Sequence, residues 1–294
     1  MKRTESISGK YRKENRFLTT MHRLLKNKGA VVGLIIILIL IVISLTSNLW
    51  LNYEKDIIEF NTKERLIHPN SEHPFGTDEY GRDIFKRILY GTKYSMAIGF
   101  VAVIIALAGG VFLGAVSGYY GGVLENIIMR ICDIMSSIPT ILLGIVIVSA
   151  IGGGVGSLMI AIGVAAIAGF ARITRAAILT IKNQEYIESA KAMGLSDLRI
   201  IFGHILPNCL SPIIVQTTLK IGNAVVSASS LSFLGMGVPA PKPEWGTMLS
   251  AGREFLRKSS YMTLFPGLAI MITVLAFNLV GDGLRDALDP KLKR

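Results

Sequence analysis

The sequence predicts an all-α integral membrane protein that crosses the bilayer six times. Hydrophobic residues make up 51% of its 294 positions and charged residues only 17%, whereas soluble domains carry about 25% charged residues. The apolar residues form runs close to the roughly 20 residues that a helix needs to cross the hydrocarbon core. Nine of the 31 Lys and Arg residues precede the first run, within positions 1–29. This placement explains the net charge of +11 as a cytoplasmic flank of membrane helices, so no nucleic-acid partner is expected.

The first predicted transmembrane helix covers residues 30–51 and follows a basic cytoplasmic tail over residues 1–29. Trp50 near its end suits the membrane interface. No small-residue cleavage site follows this apolar run, so it is interpreted as a retained anchor and not as a signal peptide. Residues 52–93 are polar, with seven basic and eight acidic side chains, and are predicted to form an extracytoplasmic segment.

Five further apolar runs predict a five-helix core within residues 94–280. The runs lie at about residues 95–116, 127–151, 157–170, 212–233 and 261–280. Arg130 and Asp133 would be costly in hydrocarbon, but they are three residues apart and can face each other. Pro139 is expected to kink the helix that contains them.

Three glycines, Gly110, Gly114 and Gly118, share one face of the predicted helix over residues 95–116 and its end. Small residues let membrane helices approach closely where lipid supplies no hydrophobic drive. The glycines therefore predict a tight helix contact, either within the chain or with a second subunit.

The distribution of positive charge predicts the orientation in the bilayer. Lys and Arg collect in the tail over residues 1–29, in a polar loop over residues 172–210 and in the tail over residues 285–294. Six crossings place all three on one side, and positively charged loops remain in the cytoplasm. Both termini are therefore predicted to be cytoplasmic.

The polar loop over residues 176–208 is predicted to fold as a helix, a turn and a second helix. Gly194 suits the left-handed position that ends the first helix, Ser196 can cap the second, and Pro207 is expected to end it. The first helix separates an apolar stripe from its carboxylates. Such a surface suits a groove on a soluble partner or the surface of the membrane.

The same loop resembles the cytoplasmic "EAA" loop of bacterial ABC-importer permeases. Six residues carry this resemblance, namely Glu188, Ser189, Ala190, Gly194, Leu206 and Pro207. Ser189 and His204 depart from the Ala and Ile of the consensus. The resemblance implies that the six residues form a coupling helix and its flank, which contact an ATPase subunit.

Four more stretches look like the "C" subunit of the dipeptide, oligopeptide and nickel permease family, at residues 75–83, 232–239, 243–246 and 281–290. The first contains six signature residues without an assigned role, namely Gly76, Thr77, Asp78, Gly81, Arg82 and Asp83. Asp78, Arg82 and Asp83 are expected to form a turn with local ion pairs. The resemblance implies the fold of a type I ABC importer permease, located in the bacterial inner membrane.

The resemblance also implies partners: a sister permease, two ATP-binding-cassette ATPases and an extracytoplasmic solute-binding protein. The sequence has no G-x-x-x-x-G-K-[ST] phosphate loop. ATP and Mg²⁺ are thus expected to be used by the ATPases, while this chain is expected to bind no cofactor and to be no enzyme. His68 and His73 lack metal-ligand spacing, so no metal site is expected.

The predicted helix over residues 212–233 is polar for a transmembrane segment, because it contains Gln216, Lys220 and Asn223. Polar groups within membrane helices usually face other helices or water. These three residues are therefore predicted to line the translocation pathway, where Lys220 could meet a substrate carboxylate. Alternatively, Lys220 pairs with a neighbouring carboxylate or extends towards the cytoplasm.

The substrate implied by the resemblance is a dipeptide or oligopeptide, moved by alternating access through a heterodimer of permeases. Nickel or metal-chelate permeases share the same motifs and remain an alternative. An ion-gradient-driven secondary transporter is a second alternative, but the sequence shows no internal repeat with paired broken helices. The H-E-x-x-H and G-x-S-x-G motifs of membrane enzymes are also absent.

Overall fold

The computed structural model describes residues 16–289 and is helical through most of that range. The α-helices are α1 Arg16–Lys26, α2 Lys28–Trp50, α3 Ile84–Tyr120, α4 Gly122–Ser137, α5 Thr140–Ile151, α6 Val155–Ile181, α7 Glu185–Ala192, α8 Asp197–Ile200, α9 Leu206–Leu231, α10 Trp245–Gly252 and α11 Tyr261–Leu288. Half of the predicted basic tail, residues 1–15, and the last five residues of the chain lie outside the described range.

The prediction of an all-α membrane protein is confirmed, with five or six candidate crossings. Within the described range, five continuous helices are long and apolar enough to cross a membrane: α2, α3, α6, the helix Asp197–Met236 that contains α8 and α9, and α11. The sixth candidate is the pair of α4 and α5, which are bent by 94° relative to each other.

The bend between α4 and α5 is much sharper than the kink predicted at Pro139. α4 ends at Ser137 and Pro139 precedes α5, because proline lacks an N–H group and excludes the helical conformation from the residue before it. Asp133 does not pair with Arg130 as expected. Its Oδ1 instead lies 2.8 Å from Nη2 of Arg172 on α6.

The helix predicted over residues 95–116 begins earlier, because α3 starts at Ile84. Its first turns contain polar side chains that are buried against protein and not exposed to lipid. Ser95 accepts a hydrogen bond from the backbone N–H of Trp245 (3.2 Å), and the Trp245 indole N–H donates to the carbonyl of Ile88 (3.0 Å). The short helix α10 thus covers the beginning of α3, a long-range contact that local hydropathy cannot register.

The glycines of α3 pack against α6 of the same chain. A Cβ at Gly114 would lie 2.6 Å from the carbonyl oxygen of Ala171, and one at Gly118 would lie 3.0 Å from Cβ of Ile178. A Cβ at Gly110 would lie 2.8 Å from the carbonyl oxygen of Ile167. The sequence left open whether these glycines contact a helix of the same chain or a second subunit. The structure shows a contact within the chain.

The second helix of the polar loop does not end at Pro207. A wide π-helical turn over Ile201–Ile205 joins α8 to α9, and Pro207 follows it directly as the second residue of α9. Ser196 occupies the N-cap position of α8, but its side chain makes no capping hydrogen bond. The loop is thereby continuous with the polar helix α9.

Candidate functional site

The loop between α6 and α9 folds onto an apolar cluster and leaves its opposite face open. Ile187 and Ala190 of α7 are buried, and they pack with Ile200 and Ile205 in one hydrophobic cluster. Among the six predicted coupling residues, Glu188, Ser189, Gly194 and Pro207 are exposed. Ala190 is buried and Leu206 packs against the cluster, so these two support the loop from within.

Gly194 ends α7 in the left-handed conformation expected from the sequence, with φ of 77°. Its N–H group donates to the carbonyl of Lys191 (2.9 Å), and the N–H group of Leu195 donates to that of Ala190 (3.2 Å). A Cβ at Gly194 would meet no atom within 4 Å. The turn is therefore an open surface on which another protein can approach the backbone closely.

Three large apolar side chains lie exposed close in sequence to this turn; Met193 belongs to the apolar stripe expected from the sequence, whereas Leu198 and Phe202 were not identified. Met193, Leu198 and Phe202 are 72%, 67% and 66% exposed. Exposed apolar patches mark interaction surfaces, and these three side chains are close together in the sequence. Leu198 and Phe202 are four residues apart and therefore lie on one helical face. This spacing could have identified the pair from the sequence.

α9 places two of the three predicted pathway residues in a cavity of about 430 Å³. Lys220 and Asn223 line it together with the corner between α4 and α5 and with parts of α3 and α6, whereas Gln216 does not. None of the described residues that line the cavity is acidic, so Lys220 is its one charged side chain among them. The cavity offers a single ammonium group beside one amide, that of Asn223, together with hydroxyls and apolar side chains.

The signature residues before α3 form a turn with internal ion pairs, as expected. Oδ1 of Asp78 accepts from the N–H groups of Tyr80 (2.9 Å) and Arg82 (3.0 Å), and its Oδ2 accepts from Nε of Arg82 (2.7 Å). Asp83 caps α3 by accepting from the N–H group of Lys86 (2.8 Å). The turn thus fixes the chain at the point where α3 begins.

Around this turn the chain buries further polar groups. His73, which sequence spacing left isolated, lies 2.8 Å from Oδ2 of Asp83 through its Nδ1. Burial, followed by the negative charge of Asp78, raises the pKa of Glu79 above its ordinary value. The hydrogen bond from Lys86 is the largest effect on Asp56 and lowers the pKa of that carboxyl. These contacts hold the polar segment against α3.

Two family models match the chain. Residues 110–294 match the binding-protein-dependent transport system inner membrane component. Residues 16–69 match the N-terminal TM domain of oligopeptide transport permease C. The first match contains the polar loop and the helices from α4 onward, but it begins after Ala102 and Val103, the residues of α3 that line the cavity.

Curated relatives extend along nearly the whole chain. The dipeptide transport system permease protein DppC of Alkalihalophilus pseudofirmus is 49% identical over 271 residues, which are 92% of this chain and 88% of the relative. DppC of Haemophilus influenzae is 47% identical over 275 residues, 92% of each chain. The glutathione transport system permease protein GsiD of Pectobacterium atrosepticum is 44% identical over 272 residues, 92% of this chain and 90% of the relative.

A solved structure has the same fold. In an inward-facing conformation of the MetNI methionine ABC transporter, one chain aligns with a TM-score of 0.58 and 21% identity, over 70% of this chain and 98% of that one. The resemblance to C-type permeases, first seen in separate motifs, is therefore supported by sequence similarity along nearly the whole chain and by the fold. The chain belongs to the family of binding-protein-dependent transport system inner membrane components, as a permease subunit of the C type found in ABC importers.

Proposed function

We propose that this chain forms one half of a pathway that imports dipeptides or oligopeptides, completed by a sister permease and driven by two ATPases. The observation that carries the proposal is the cavity around Lys220 and Asn223, where one ammonium group has no acidic neighbour in the lining. A peptide brings a carboxylate that such a group attracts. The names of the relatives, dipeptide and glutathione permeases, favour small peptide substrates.

The cavity lining also bears on the nickel alternative. It contains no His, Cys or carboxylate side chain among the described residues, and these are the common ligands of transition metals. A free metal ion would find no ligand set there, whereas a metal chelate with free carboxylates would still meet Lys220. Family membership argues against the ion-driven alternative.

The proposed arrangement places the tail over residues 1–29, the loop over residues 176–208 and the tail over residues 281–294 in the cytoplasm. The described part of the first tail and the end of α11 lie together, because Nδ2 of Asn27 is 3.5 Å from Oδ2 of Asp286. The segment over residues 52–93 lies outside, where a solute-binding protein would deliver substrate.

Affinity purification of the tagged chain from its own membranes in mild detergent, followed by mass spectrometry, tests the proposed assembly. Two ATPases, a second permease and a solute-binding protein are expected to accompany it, and the ligand of that binding protein gives the substrate. Recovery of the chain without any ATPase, even after cross-linking, would contradict the proposal.

Lys220→Met is expected to lower the uptake of a dipeptide about tenfold, because a charge-assisted contact to the substrate carboxylate is lost. Uptake is measured in proteoliposomes that contain the whole complex. A dipeptide amidated at its C-terminus is expected to be transported equally by both forms, and Lys220→Arg is expected to retain most of the activity. Lys28→Met removes the same charge from an exposed position at the start of α2, outside the cavity lining, and serves as the control. Unchanged dipeptide uptake in Lys220→Met would remove the residue from the pathway.

A further inference from the structure

The polar loop contacts the C-terminal end of α3 at three points. Lys182, which follows α6, donates from Nζ to the carbonyl of Gly118 (3.1 Å). The hydroxyl of Tyr119 donates to Oδ1 of Asp197, the first residue of α8 (2.7 Å). Nζ of Lys191 on α7 lies 5.5 Å from the centroid of the Tyr119 ring. All three parts of the loop thus contact two consecutive residues of one membrane helix.

These polar contacts differ in kind from the apolar packing beneath them. Tyr119 and Ala115 of α3 also touch the hydrophobic cluster that holds Ile187 and Ala190 of α7. Apolar packing is not directional, whereas a hydrogen bond to a carboxylate is short, directional and stronger than a neutral one. The hydroxyl of Tyr119 therefore fixes the position of α3 relative to the loop more narrowly than packing alone does.

α3 is placed to carry a movement from this end to the cavity. It is one continuous helix of 37 residues, and its Ala102 and Val103 line the cavity that contains Lys220. α3 begins at the signature turn capped by Asp83. A displacement of Tyr119 along the helix axis would consequently reach the cavity and the opposite end of the protein.

We infer that Tyr119 is a positioning residue for transport, whose hydrogen bond to Asp197 transmits the movement of the coupling loop to α3. The inference rests on the proposed coupling role of the loop and names the helix that receives its movement. Because the bond is solvent-exposed, its loss is expected to leave the fold intact. It is expected to weaken the coupling between movement of the loop and movement of α3.

The test is the number of substrate molecules imported per ATP hydrolysed by the reconstituted complex. Tyr119→Phe is expected to lower this ratio about fivefold, the scale of one lost hydrogen bond, while the amount of assembled complex stays unchanged. Tyr94→Phe removes the same atom near the other end of α3, where the hydroxyl forms no hydrogen bond with the described residues, and is expected to leave the ratio unchanged. A ratio in Tyr119→Phe equal to that of the unaltered complex would overturn the inference.

Substitutions of Asp197 test the same hydrogen bond from its other partner. This test does not depend on whether Tyr119→Phe folds stably. Asp197→Asn retains an oxygen acceptor and is expected to keep most of the coupling, whereas Asp197→Leu is expected to lose as much as Tyr119→Phe. Because both residues act through one bond, the combination of Tyr119→Phe and Asp197→Leu is expected to be no worse than either alone. Losses that add, or equal ratios in Asp197→Asn and Asp197→Leu, would refute the transmission role.

A bulky replacement of Gly194 separates this inference from the proposed function on which it rests. If Gly194→Trp stops uptake and Tyr119→Phe does not alter the ratio, the loop couples to the ATPases but Tyr119 does not transmit the movement. If neither variant has an effect, the proposed coupling surface is itself refuted.

Discussion

Replacing Gly194 with Trp is expected to lower uptake by about a hundredfold or more, while the solute-binding protein continues to capture substrate. The indole would project into space that is open in the chain itself, since a Cβ at this position meets no atom within 4 Å. That open face is where we propose that an ATPase docks, and an interface loses affinity steeply when a bulky group separates its surfaces. The measurement is uptake by membrane vesicles that contain all subunits, with binding of substrate to the isolated binding protein measured separately.

Two controls separate a blocked interface from a strained backbone at Gly194. Gly152 also has a positive φ, 99°, and open space around it, but it lies in the loop between α5 and α6. Gly152 has a ψ of 158°, a conformation almost exclusive to glycine, so Gly152→Trp strains the backbone without touching the proposed docking surface, and it is expected to keep most of the uptake. Gly194→Asn keeps a residue that tolerates the left-handed conformation and is expected to be mildly impaired. Normal uptake in Gly194→Trp would contradict the assignment.

Gly114→Leu is expected to reduce the amount of folded permease in the membrane several-fold and to lower its melting temperature. At Gly114 even a Cβ would lie 2.6 Å from the carbonyl oxygen of Ala171 and 2.6 Å from Cβ of Thr174. α3 and α6 would have to separate, and overpacking of this kind costs about 1–3 kcal/mol or more. Fluorescence-detected size-exclusion chromatography after heating measures both effects.

Gly156→Leu is the matched control for the helix contact. Gly156 belongs to the first turn of α6, and a Cβ there would meet no atom within 4 Å. The same side chain added at this position is expected to leave the amount and the melting temperature of the protein nearly unchanged. Equal behaviour of the two variants would show that the approach of α3 to α6 at Gly114 is not needed for folding.

Features that depend on hydropathy and local backbone chemistry were predictable from the sequence. The apolar run that ends near Trp50 required only the length of a bilayer helix, and α2 covers Lys28–Trp50. The left-handed turn at Gly194 required only the absence of a side chain, because other residues rarely adopt that conformation. Lys220 was assigned to the pathway on polarity alone, and it lies in the cavity.

Features that depend on contacts distant in sequence were not predictable. The first turns of α3 looked like loop because they contain polar side chains such as Arg87, which is buried beside residues about 150 positions later, among them Pro241 and Trp245. The continuation of the helix past Pro207 depends on a wide turn that periodicity does not encode. The ion pair of Asp133 with Arg172 required knowledge of which helix packs beside α4.

The sharp corner between α4 and α5 restricts which side of the protein can be covered by lipid. Helix ends expose backbone carbonyls, and hydrocarbon offers them no hydrogen bonds. Ser137 satisfies one of these carbonyls, that of Ile134, with its hydroxyl (2.7 Å). α5 has only 12 residues and so rises about 18 Å, less than the roughly 30 Å of the hydrocarbon layer. A fluid bilayer would have to thin to match this corner, so acyl chains are expected to be excluded from the residues at the corner between α4 and α5, some of which line the cavity.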